Sequence, residues 1–134
     1  MKKIILLLSV FVLVFTSCSS DDDGGSQDPF VGTWKYYKYY EDGVELSVED
    51  CDELTTIVVS SNETYTTTIY EDYGSGCELD YVSSGTWDNL GAGLYSTTDE
   101  DGGAYVQEIG FEGNTMYFEE TDGGVVYKDV FIRQ

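Results

Sequence analysis

The feature that most constrains this chain is a succession of short alternating segments cut by Gly, Asn and Asp. Residues 64–70 show it most plainly. Tyr65, Thr67 and Ile69 share one face and Thr66, Thr68 and Tyr70 the other, the period of two that a half-buried strand requires. Strand-like segments at residues 31–40, 53–60, 78–87, 94–98, 104–111, 115–120 and 125–133 are divided by turn chemistry such as Asp42-Gly43, Glu112-Gly113-Asn114 and Thr121-Asp122-Gly123-Gly124. Residues 44–52 read as a loop or short edge strand, and residues 89–93 as a glycine-rich turn. Helical periodicity is almost absent. Short connections make consecutive strands pair antiparallel, and about eight strands is the number at which a twisted meander closes on itself and loses its edges. The expectation is an all-β, up-and-down barrel of about eight strands over residues 30–134.

A different kind of segment precedes it. Met1-Lys2-Lys3 is positive, and residues 4–16 form an apolar run of about 13, typical of a secretory h-region and short of the ~20 that span a bilayer. Residues 1–17 therefore read as a signal peptide. Phe15-Thr16-Ser17-Cys18 resembles the lipobox of bacterial lipoproteins, which implies a diacylglycerol on the Cys18 sulfur and an acylated new N-terminus. At ~0.8 kcal/mol per buried CH₂, two or more acyl chains make membrane attachment effectively permanent. Ser19-Ser20-Asp21-Asp22-Asp23 resembles the acidic export signal of lipoproteins sent to the outer face of the outer membrane. With Gly24-Gly25-Ser26 it makes residues 18–29 an acidic, flexible, lipidated tether.

Charge narrows the partners. Once Lys2 and Lys3 leave with the signal, four basic side chains, Lys35, Lys38, Lys128 and Arg133, face 26 carboxylates, a formal charge of −22. Such a surface repels phosphate backbones, so no nucleic-acid partner is expected. High charge is also the composition of disorder, but 12 Tyr, 6 Phe and 2 Trp supply the apolar surface that an ordered core needs. The 134 residues hold no histidine, which removes Ser-His-Asp and Cys-His catalysis and the commonest metal ligand. An enzyme would have to work with carboxylates, tyrosine or lysine, so the expectation is a non-enzymatic protein with no cofactor and no metal. With Cys18 lipidated, Cys51 and Cys77 are left, and in an exported chain they are expected to form a disulfide worth about 3 kcal/mol.

At Val31-Gly32-Thr33-Trp34 a Gly-x-Trp opens the first strand and resembles the lipocalin/calycin group. The lipobox, the acids after it, the paired cysteines and the later Ser84-Gly85-Thr86-Trp87 extend the likeness to bacterial lipocalin-like domain lipoproteins. The resemblance implies that Arg133, near the C-terminus, packs over Trp34 beside Gly32 and closes the last strand against the first, a contact of ~0.5 to 2 kcal/mol. It also implies an interior that accepts an apolar small molecule, with Trp34, Tyr36, Phe111, Phe118 and Phe131 as wall candidates. The competing expectation is that large aromatics simply fill the barrel.

A second function class is a surface interaction protein whose exposed tyrosines, Tyr37, Tyr39, Tyr70, Tyr95, Tyr105 and Tyr127, form one patch for a glycan or an envelope protein. Calcium binding at Asp99-Glu100-Asp101-Gly102-Gly103 or at Asp21, Asp22 and Asp23 lacks EF-hand spacing, so these acids read as solvated turns.

Overall fold

The computed structural model describes residues 26–134. The signal peptide, Cys18 and the run Asp21, Asp22 and Asp23 lie outside the described residues. The strands are β1 (Gly32–Glu41), β2 (Val44–Leu46), β3 (Thr56–Val59), β4 (Thr64–Asp72), β5 (Cys77–Gly91), β6 (Leu94–Asp99), β7 (Ala104–Glu112), β8 (Thr115–Asp122) and β9 (Val125–Arg133). From β3 to β9 each strand pairs antiparallel with the next. β1 closes the ring, lying against β9 on one side and β3 on the other. Eight strands thus form the barrel. β2 is an extra strand that folds back on the last residues of β1, beyond the part that meets β3.

The all-β closed meander is as the alternation predicts, with two boundary differences. Residue 53 does not begin a strand: Asp52–Leu54 form one 3-10 turn, held by Leu54 N–H to Cys51 O and Thr55 N–H to Asp52 O, and pairing starts at Thr56. β5 is longer than the segment 78–87, because Asp88, Asn89 and Gly91 still find partners on β6 before Ala92 and Gly93 turn the chain.

The two cysteines are bridged. Cys51 lies just before the 3-10 turn and Cys77 opens β5, so the Cys51–Cys77 disulfide ties that turn to the far end of the β4–β5 hairpin. At the β1–β2 turn Asp42 and Gly43 both take positive φ, 46° and 79°, the conformation whose twist matches a two-residue hairpin. Asp42 also accepts the Val126 N–H at 3.0 Å, fastening this turn to β9.

Three register shifts interrupt the ladders, at Tyr36/Lys38 against β9, Ile69/Tyr70 against β5 and Asn89/Gly91 against β6. Each reverses which residues face inward beyond it. The core gathers Phe30, Trp34, Val59, Trp87, Tyr95 and Met116 toward one end of the barrel. Trp34 and Met116 are its most enclosed large side chains, 1% and 0% exposed.

Candidate functional site

The two ends of the barrel differ. At the first, the Arg133 guanidinium carbon stands 4.2 Å from the centre of the Trp34 ring. Its two terminal nitrogens donate to Val31 O at 2.7 Å and Pro29 O at 2.8 Å. Gly32 is required there because a Cβ would overlap that guanidinium. Trp34 Nε1 donates to Phe30 O at 2.8 Å and Trp87 Nε1 to Ser60 O at 3.0 Å, so both indoles are spent on packing and backbone satisfaction. Phe30 packs edge-on against Trp87 and tilted against Tyr95.

Asp28 completes this plug. Its carboxylate accepts the Phe30 N–H at 2.8 Å, the Tyr95 hydroxyl at 3.0 Å and the Asn89 side-chain amide at 2.6 Å. Burial, then the bond to Asp28, pushes the Tyr95 phenol well above its ordinary range. Asp28 and Pro29, the last two residues of the expected tether, are therefore docked onto the barrel.

The opposite end is unfilled. A cavity of about 340 Å³ opens there between β1, β3, β4 and β9, with Ile57, Thr67, Ile69 and Phe131 as walls, the Asp52–Leu54 turn and Thr55 at its rim, and Tyr36 and Asp129 at its polar edge. A narrower recess of about 140 Å³, sharing Ile57 and Thr67, continues inward to Phe118, Gln107 and the Phe30–Tyr95 plug. The cavity is in the size range of small-molecule sites and is chiefly apolar, as such sites are.

Tyr36 donates its hydroxyl proton to Asp129 Oδ1 at 2.5 Å. Burial, followed by that bond, raises the phenol far above its ordinary range, so it stays a neutral donor. Beyond the β1 bulge the inward positions are Tyr39 and Glu41, opposite Asp129 and Tyr127 on β9. The Tyr39 and Tyr127 rings lie nearly parallel with centroids 6.3 Å apart. Partial burial and a 3.0 Å bond to Glu41 push Tyr39 up to about 12.

Of the five wall candidates, Tyr36 and Phe131 line the cavity and Phe118 lines the recess. Trp34 and Phe111 do not: they pack on each other at 6.2 Å in the closed end. The expected tyrosine patch is not formed. Tyr95 is 3% exposed in the core, and Tyr39 and Tyr127 stack at the cavity end of the inner face, while Tyr37 lies outside. A groove of about 490 Å³ does run along the outer face of β1, β8 and β9, but it is built from Tyr37, Tyr40, Tyr117, Lys38 and Lys128 over the buried Val130. At the other loop singled out in the sequence, Asp99 turns its carboxylate onto its own loop, accepting the Gly103 N–H at 2.6 Å.

Sequence reasoning missed Asp52, Thr55, Ile57, Thr67, Ile69 and Asp129 as wall residues. The signal for two of them was present, since Thr67 and Ile69 share the alternating face of Tyr65. Asp129 gave none.

A search of curated proteins finds no match. The family model described as a lipocalin-like domain matches residues 30–126, from the Phe30 plug to the start of β9. With the closed eight-stranded meander and its Trp34–Arg133 seam, that match places the chain in the lipocalin-like domain family, to which it belongs.

Proposed function

We propose that this protein is a lipid-anchored, outer-membrane lipocalin-like lipoprotein, displayed at the cell surface, that holds a small, mainly apolar molecule in the open end of its barrel. One observation carries the binding reading: the inner face is packed solid around Trp34 and Met116 at one end yet leaves about 340 Å³ between Ile57, Ile69 and Phe131 at the other. Burying those apolar walls against a ligand is favourable at roughly 25 cal/mol per Å². The anchor and the display rest on Phe15-Thr16-Ser17-Cys18 and the acids that follow. No catalytic role is proposed: the Tyr36 phenol is committed as a neutral donor to Asp129, and the second carboxylate, Asp52, stands at the rim.

Native mass spectrometry of the protein extracted from its own membrane tests the reading. A co-purifying small molecule is expected, lost in Thr67→Trp, which fills the cavity. Mature protein carrying the acyl mass on Cys18 but no small molecule, together with no binding of any apolar probe, would remove it.

The outer groove supports a second reading. Three tyrosines beside the Lys38–Glu45 and Lys128–Glu119 pairs form an aromatic, hydrogen-bonding surface suited to a glycan. Glycan binding abolished by Tyr37→Ala and untouched by Thr67→Trp would favour it over the inner cavity.

A further inference from the structure

The cavity has one polar corner, and among the described residues no basic side chain pairs with the charge there. Asp129 lines the wall beside Phe131 and accepts a single neutral donor, the Tyr36 hydroxyl. A carboxylate offers about four acceptor sites, so one phenol leaves most of its capacity unused. Among the described residues the ion pairs are Lys38–Glu45 and Lys128–Glu119, both on the outer face. Lys35 also points outward, since it lies between the inward Trp34 and Tyr36. The inner face therefore holds one basic side chain, Arg133, at the opposite end and already bonded to the Val31 and Pro29 carbonyls.

The other titratable groups near this corner do not supply a cation. Asp52 lies at the rim, and Glu41 and Glu120 occupy inward positions on β1 and β8. Tyr36 and Tyr39 stay protonated at neutral pH. The stacked rings of Tyr39 and Tyr127 stand next to Asp129 in the register, and aromatic faces attract cations most strongly when both are desolvated. An anionic head would meet like charge here, and a neutral one could fill an acceptor site on Asp129 but would leave the carboxylate's charge without a counter-ion.

We infer that the cavity takes an amphiphilic cation, an amine or quaternary ammonium on a short apolar body, with the body between Ile57, Ile69 and Phe131 and the nitrogen between Asp129 and the Tyr39–Tyr127 stack. This rests on the cavity-binding reading above and adds the charge of the ligand to it.

Titration calorimetry of the folded protein at fixed ionic strength, with octylammonium, octyltrimethylammonium, octanol and octanoate as probes, tests it. The two cations are expected to bind about tenfold more tightly than octanol, and octanoate most weakly. Asp129→Asn keeps an acceptor for Tyr36 and is expected to abolish the preference, read as the ratio of cation to octanol affinity within the same variant. Should that variant fail to fold, Tyr36→Phe removes the competing donor and is expected to keep or increase the preference; its loss there would count against the inference. Equal binding of octanol and the cations overturns the inference and leaves the cavity reading standing. A preference that persists in Asp129→Asn is attraction to the acidic surface and overturns it too. No binding by any probe overturns both.

Discussion

Replacing Arg133 by alanine removes the clasp between the first and last barrel strands, and the structure gives its size. Two charge-assisted hydrogen bonds, to Val31 O and Pro29 O, and one guanidinium–indole contact at 4.2 Å are lost together. Bonds to a charged donor contribute about 1.5–3 kcal/mol each and the ring contact ~0.5–2. The side chain is partly exposed and the carbonyls can turn to water, so the lower end applies to each contact and the expected net loss is about 3.5 kcal/mol. For a domain of this size that lowers the thermal midpoint by about 12 °C or more. Urea unfolding followed by tryptophan fluorescence measures it directly. Arg133→Lys keeps the charge but loses the fork and is expected to lie between the two. A double-mutant cycle with Trp34→Phe should isolate a coupling of about 1 kcal/mol. If Arg133→Ala unfolds within ~0.5 kcal/mol of the wild type, the seam is ornamental and closure rests on the β1–β9 ladder alone.

Three further perturbations probe other parts of the frame. The double variant Cys51→Ser/Cys77→Ser frees a loop whose ends are 26 residues apart and is expected to lose about 3 kcal/mol, read by thermal melts against the oxidised wild type and matched by the reduced one. Gly32→Ala drives a Cβ into the Arg133 guanidinium at a φ of 155° and should cost about 1–3 kcal/mol, with the contact part relieved in Arg133→Ala and the backbone part remaining. Above the ordinary phenol value of 10 the unfolded chain loses protons that folded Tyr36, Tyr39 and Tyr95 retain, so stability is fully present below about pH 10 and falls as pH rises past it. Tyrosinate absorbance should then lag in the folded protein and jump on unfolding, and Tyr36→Phe/Tyr95→Phe should flatten the decline.

Much of this architecture was legible because strands and turns announce themselves locally. Tyr65, Thr67 and Ile69 share a face as alternation predicts, which the structure turns inward, and Asp42-Gly43 and Gly123-Gly124 turn where such dipeptides do. The Trp34–Arg133 contact was legible only through resemblance, since nothing local links residues at the two ends of the domain. Burial of individual tyrosines was not legible. Tyr95 sits between Leu94 and Ser96 and looks like any strand tyrosine, and what draws it inside is Asp28, far away in sequence, accepting its hydroxyl. Asp129 was hidden for a similar reason: an acid between Lys128 and Val130 reads as surface until the β9 register sets it opposite Tyr39 and within reach of Tyr36.

The bulge in β1 connects these observations. Starting from the inward Trp34 and Tyr36, unbroken alternation would carry Lys38 inside, where its ammonium would lie on the same face as Asp129 and stand ready to neutralise it. The run Tyr36-Tyr37-Lys38-Tyr39-Tyr40 is too uniform in hydropathy to say which parity it takes, so the choice falls to pairing with β9. There the register slips between Tyr36 and Lys38, and the extra residue, Tyr37, is absorbed. Lys38 swings outward to Glu45 at 2.8 Å and joins Lys128 in the outer groove, while Tyr39 takes the inward place and stacks on Tyr127. One inserted residue thus sorts the charges of the barrel wall, lysines outside and carboxylate with aromatics inside, and leaves the open end acidic, aromatic and without a basic side chain of its own.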